Sequence, residues 1–174
     1  GEELESTGED GMLGMILDPG FQKNRWIYLY YSPRGGKHRS ILARYEWKDR
    51  LIDMASEKIL LEVPNQRVSC CHLGGGMVFD SEGNLLLSTG DNTPNDPRGY
   101  SPLDERPGRD RFDSQRSSAN TNDLRGKILR LKPENDGGYS IPQGNLFAKD
   151  SGKVRPEIYT MGNRNPWRLS IDSK

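Results

Sequence analysis

Gly76-Met77-Val78-Phe79-Asp80, then Ser81-Glu82-Gly83-Asn84, then Leu85-Leu86-Leu87-Ser88-Thr89 reads as strand, turn, strand: short apolar runs separated by turn formers. The same order of parts stands earlier in the chain. Gly14-Met15-Ile16-Leu17-Asp18 leads through Asp18-Pro19-Gly20 into Trp26-Ile27-Tyr28-Leu29-Tyr30. Each pair continues with two more runs, Ile41-Leu42-Ala43-Arg44-Tyr45 and Ile59-Leu60-Leu61-Glu62 in the first set. Lys127-Ile128-Leu129-Arg130-Leu131 and Glu157-Ile158-Tyr159-Thr160 complete the second. A third set opens at Leu169-Ser170-Ile171-Asp172. Four-stranded units in series are the mark of propeller blades, which bury their faces against neighbouring blades.

The expected fold is therefore all-β: about two to three blades of a β-propeller built of four-stranded antiparallel sheets. One partial domain fills residues 1–174, with units at 11–63 and 75–161 and the start of a third at 167–174. Such a number of blades cannot close a ring, so the chain is expected to be an excerpt of a longer protein. The spacing is loose because residues 92–122, polar and rich in Asp, Arg, Pro and Ser, lengthen the second unit. A loop of that length is either a binding loop or disordered. The one candidate helix, at 51–58, is short and poorly periodic.

Composition narrows the function. Lys+Arg 25 against Asp+Glu 25 leaves no net charge, which removes the electrostatic footprint of a nucleic-acid binder. No apolar run approaches the roughly 20 residues a membrane span needs. The first ten residues are acidic and do not read as a targeting signal. No GxSxG, P-loop or dinucleotide fingerprint occurs. Cys70 and Cys71 are adjacent, which excludes CxxC spacing and leaves either two thiols or a vicinal disulfide.

Chemistry concentrates around Cys70-Cys71-His72-Leu73-Gly74-Gly75-Gly76 and Thr89-Gly90-Asp91-Asn92. His72 precedes the first strand of its unit and Asp91 follows the second. In antiparallel neighbours those two ends share one sheet edge, so the residues can meet. A carboxylate on one imidazole nitrogen would fix the tautomer and free the other nitrogen to accept a proton. The plainer alternative is a structural histidine beside a glycine turn. Gly162-Asn163-Arg164-Asn165-Pro166 offers planar donors for ligand oxygens, or an arginine that pairs with a local carboxylate. Glu9 could add a carboxylate to the same end. Asp91–Asp96 carries oxygen ligands at alternate positions but lacks the glycine and the closing glutamate of an EF-hand loop.

Five motifs in order resemble the glucose/sorbosone dehydrogenase family across nearly the whole chain: Glu9–Gly14 with Asp18-Pro19-Gly20-Phe21, His72–Gly75, Thr89-Gly90-Asp91, Leu124–Arg130 and Gly162–Pro166. The resemblance implies a six-bladed propeller, exported to the periplasm or outside, that holds pyrroloquinoline quinone (PQQ) with calcium nearby. It implies that His72 takes the proton of a sugar hydroxyl as hydride passes to the quinone, that Asp91 orients His72, and that Arg164 and Asn165 hold quinone oxygens. Glu9 falls where one branch has a cofactor-touching glutamine. The partners implied are a sugar and an electron acceptor such as a cytochrome. The calcium ligands and remaining quinone contacts are expected outside this chain, which alone should not turn over sugar. The cysteine pair is expected as a vicinal disulfide. The alternative function is a non-catalytic extracellular propeller that binds carbohydrate or protein, with acid-based carbohydrate cleavage through Glu9 and Asp91 a more distant reading.

Overall fold

The computed structural model describes residues 8–172. Strands β1 (Met12–Leu17), β2 (Trp26–Tyr31), β3 (Arg39–Lys48) and β4 (Leu51–Pro64) form one antiparallel sheet in chain order. A second antiparallel sheet holds β5 (Met77–Phe79), β6 (Leu85–Thr89), β7 (Lys127–Pro133) and β9 (Ile158–Met161), with β8 (Tyr139–Ser140) paired to the far end of β7.

The repeat seen in the sequence has a physical device behind it. At the end of β1 the Asp18 carboxylate accepts from Gly20 N (2.7 Å), Asn24 Nδ2 (2.7 Å) and Tyr28 Oη (3.0 Å). At the end of β5 the Asp80 carboxylate accepts from Glu82 N and Asn84 N (2.9 Å each) and Asn84 Nδ2 (2.8 Å). Each aspartate gathers the donors of its own turn, so the chain reverses into the next strand at equivalent places.

The two sheets share one core. Tyr28, Tyr30, Leu42, Leu61 and Val63 of the first pack with Leu85, Leu87, Leu129, Leu131 and Ile158 of the second. Tyr28 and Phe79 meet edge to face with centroids 5.4 Å apart. Arg44 crosses between the sheets: it donates to Glu134 O (2.7 Å) and Asn135 O (3.1 Å) and stacks over Trp26. Alternate residues of β2 and β3, including Ile27, Leu29, Ile41 and Tyr45, build a second core on the opposite face.

Two expectations need correction. Residues 51–58 are the first half of β4, because Asp49 and Arg50 form a two-residue turn with both φ positive and pair Lys48 with Leu51. The second sheet has a fifth strand, because the hairpin from β7 continues past Leu131 and closes with Glu134 N donating to Gly138 O. Described residues 167–172, where a third unit is expected to open, form no strand and pair with none of the described strands. Residues 92–122 are ordered, with two 3₁₀ turns at Asp110–Phe112 and Ser114–Arg116.

Candidate active site

Residues 70–76 run alongside the end of β6, held by Gly75 N to Ser88 O (2.9 Å), Ser88 N to Gly76 O (2.8 Å) and Asn92 N to His72 O (3.0 Å). Glycine is required where the two segments touch. A Cβ on Gly90 would lie 2.0 Å from His72 O, and one on Gly74, at φ +72, would lie 2.7 Å from Ser88 O. His72 itself has φ +63, a backbone conformation that residues with side chains seldom adopt.

His72 and Asp91 meet as the antiparallel pairing of β5 and β6 requires. Asp91 is buried and His72 mostly so, with Nδ1 2.9 Å from Asp91 Oδ1. A carboxylate only accepts, so Nδ1 carries the hydrogen of this contact, and in the neutral imidazole Nε2 then holds the lone pair. Nε2 has no hydrogen-bond partner among the described residues. Asp91 is fixed in turn by Thr93 N (2.9 Å) on Oδ1 and Arg164 Nη1 (3.3 Å) on Oδ2, while its own N–H donates to Arg164 O (2.7 Å).

Arg164 does pair locally: Nη1 with Asp91 and Nη2 with Asn95 Oδ1 at 2.6 Å. Its side chain is nevertheless 39% exposed, and a guanidinium has five N–H donors, so donors remain for a ligand. Asn165 accepts from Gly74 N (3.1 Å) through Oδ1 and donates through Nδ2 to Glu9 Oε2 (3.2 Å).

Glu9 stands in the same cluster but faces the protein. Its Oε2 accepts from His72 N (2.8 Å) and Leu73 N (3.2 Å) as well as Asn165. Cys70 and Cys71, immediately upstream, are joined by a disulfide.

Sequence reasoning missed two contributors. Asn95 anchors Arg164, and its only sequence signal was its place in an oxygen-rich loop. Those oxygens are engaged by protein donors: Asn92 Oδ1 by Gln66 N (2.6 Å), and Asp96 by Arg98 N (3.0 Å) and Arg109. No group of three or more metal-ligating side chains is assembled among the described residues. The second is Lys127, fully buried behind the site. Its ammonium donates to the carbonyls of Ser117 (2.8 Å), Ser118 (3.0 Å) and Arg125 (2.7 Å), and burial pushes it down to about 8. It holds the loop against Gly126, whose N–H donates to Gly90 O (2.8 Å).

The model of the glucose/sorbosone dehydrogenase family matches residues 2–174. Aldose sugar dehydrogenase YliI of Escherichia coli is 29% identical over 98% of this chain and 40% of its own length. A solved apo-form of a soluble aldose sugar dehydrogenase from the same organism shares 27% identity and a TM-score of 0.67, covering 94% of this chain and 40% of that one. Human Hedgehog-interacting protein is 27% identical over 97% of this chain and 23% of its own length. A PQQ-bound aldose sugar dehydrogenase of Streptomyces coelicolor, 22% identical, shares the fold with a TM-score of 0.63 over 93% of this chain and 39% of that one. The chain thus spans about two fifths of the dehydrogenases it matches. Its two antiparallel sheets are part of a β-propeller, and the chain belongs to the glucose/sorbosone dehydrogenase family.

Proposed function

We propose that the protein carrying this chain is a PQQ-dependent dehydrogenase of aldose sugars, with His72 as the base. The observation that carries the reading is His72 with Nδ1 committed to buried Asp91 and Nε2 unclaimed. Support for the cofactor comes from the family and from the donor set: Arg164 keeps N–H groups for carbonyl oxygens, with Asn165 next to it and 3.1 Å from Gly74 N. When bound, PQQ supplies the two-electron acceptor to which hydride is delivered.

The protein's share is proton handling and orientation. The hydroxyl proton of the substrate passes to His72 Nε2 as the carbon-bound hydrogen departs with its electron pair, leaving a carbonyl. Asp91 stabilises the imidazolium so formed and keeps the ring from rotating. Arg164 places positive charge where electron density accumulates on oxygen. Glu9 and Asn165 fix the backbone that carries His72 and act as positioning residues. The electron acceptor we propose is a cytochrome or soluble carrier, with calcium as the accompanying metal. We also place the protein in the periplasm or outside the cell, a reading that rests on the family resemblance.

The test is dye reduction by the intact protein with PQQ and calcium over a panel of sugars. Substituting His72→Ala should lower the rate by about 10²–10⁴-fold. A variant that keeps its activity overturns the mechanism; no oxidation of any sugar by the parent leaves a binding propeller.

A further inference from the structure

The loop that leaves the site at Asn95 folds at once into a second polar structure. Asp104 is completely buried and organises it. Its Oδ1 accepts from Arg106 Nε (2.7 Å), and its Oδ2 from Arg106 Nη2 (2.7 Å) and Arg109 Nε (3.0 Å). Arg109 Nη2 also donates to Asp96, and Arg98 Nε lies 3.7 Å from the other Asp96 oxygen. Aromatic rings hold the guanidinium planes: Arg106 over Tyr100 at 4.8 Å and Arg109 over Phe112 at 3.8 Å. Asp96, Arg98, Arg106, Pro107 and Arg109 line a shallow, open depression of about 400 Å³.

Three guanidiniums surround this depression against two carboxylates, so it retains a positive charge. The carboxylates take the Nε edges and one Nη2 each of Arg106 and Arg109. The Nη1 groups of both have no partner among the described residues, and Arg98 is almost fully exposed. Buried Asp104 thus works as a brace that fixes the direction of free donors instead of quenching them. A rigid fork of guanidinium N–H groups matches a carboxylate or a phosphate. Asn95, gripped by Arg164, is the residue directly before Asp96.

We propose that this depression is an anion subsite, taking a carboxylate or phosphate borne by the sugar whose hydroxyl reaches His72. The substrate class is then sugar acids or sugar phosphates ahead of neutral aldoses. The sugar in this statement rests on the dehydrogenase reading; the anion site rests on the arginines alone.

The experiment is isothermal titration of the intact protein with glucose, glucuronate, glucose 6-phosphate and inorganic phosphate, alongside dye reduction with the three sugars. We expect at least one acidic sugar to bind about tenfold more tightly than glucose, with the advantage shrinking as salt is raised. Arg98→Gln, at a side chain that is almost fully exposed, should remove most of that advantage, and Arg98→Lys should retain part of it. Turnover of glucose with no preference for either acidic sugar overturns the subsite and leaves the dehydrogenase reading standing. A loss in Arg98→Gln shared equally by neutral and acidic sugars also overturns it. No oxidation of any sugar, with phosphate still bound through Arg98, overturns the dehydrogenase reading and upholds the site. Carboxylate and phosphate are told apart by which sugar carries the gain.

Discussion

Replacing Glu9 with alanine removes the acceptor for three donors at once: His72 N, Leu73 N and Asn165 Nδ2. Hydrogen bonds to a charged group contribute about 1.5–3 kcal/mol each where the donor is left stranded, and much less where water replaces the acceptor. Glu9 is only partly buried, so about 1 kcal/mol per donor is the fitting value, or roughly 2–3 kcal/mol in all. The loss falls on the local opening of residues 72–74. At about 1.4 kcal/mol per tenfold, protection of the His72 and Leu73 amides should fall by roughly 30- to 100-fold. Hydrogen exchange on peptides covering 70–76 reads this directly. Glu9→Gln keeps one acceptor oxygen but presents an NH₂ group to donors, so it should lie between the parent and Glu9→Ala. Sugar oxidation should decline in the same order, because the turn carrying His72 loosens. Unchanged exchange at 72 and 73 in Glu9→Ala, together with weakened PQQ binding, would refute the positioning role and return Glu9 to the cofactor.

Asp91→Ala should cost about 10²–10⁴-fold in sugar oxidation by the PQQ-loaded protein, since it frees both His72 and Arg164; a loss within threefold contradicts the arrangement. Lys127→Met leaves the Arg125 carbonyl without its partner, whereas Ser117 O and Ser118 O keep Asn120 N and Gly162 N. The expected loss is about 1–3 kcal/mol, read by urea denaturation. The parent should also gain stability over Lys127→Met between pH 8 and 10.5, because in that window the unfolded chain holds a proton that the folded one has released. A flat difference across the window contradicts the burial of the ammonium. Gly90→Ala drives a methyl into His72 O and should destabilise by about 3 kcal/mol while displacing the base; a thermal midpoint equal to that of the parent contradicts the close approach.

Runs with strong β chemistry were legible in the sequence, and so was the aspartate closing each first strand. β2, with Trp26 through Tyr31 nearly all aromatic or branched, admits no other reading. The meeting of His72 with Asp91 followed from strand direction alone. Less was visible where structure depends on distant partners. The first half of β4 is a mixed polar stretch whose pairing is set by a turn of Asp49 and Arg50, neither of them the glycine such turns favour. The order of residues 92–122 comes from pairing Asp104 with two arginines, whereas composition showed only their abundance. Residue type could not say which way Glu9 would face: an acid near a ligand site and an acid under a turn are spelled alike.

The bond between Asn165 and Glu9 joins residues 156 positions apart, and the neighbouring contacts of His72 with Glu9 and Arg164 with Asp91 span 63 and 73. The first of these tethers spans more of the chain than any other hydrogen bond described above, and loop closure is entropically costly until the rest of the chain is in place. Contacts of such separation are made late, after local hairpins have formed and the sheets have docked. The latch between Glu9 and Asn165 therefore couples distant parts of the chain: the carboxylate that holds His72 N is itself held by a residue from the far side of the second sheet, so the turn carrying the histidine is secured only when both are in place.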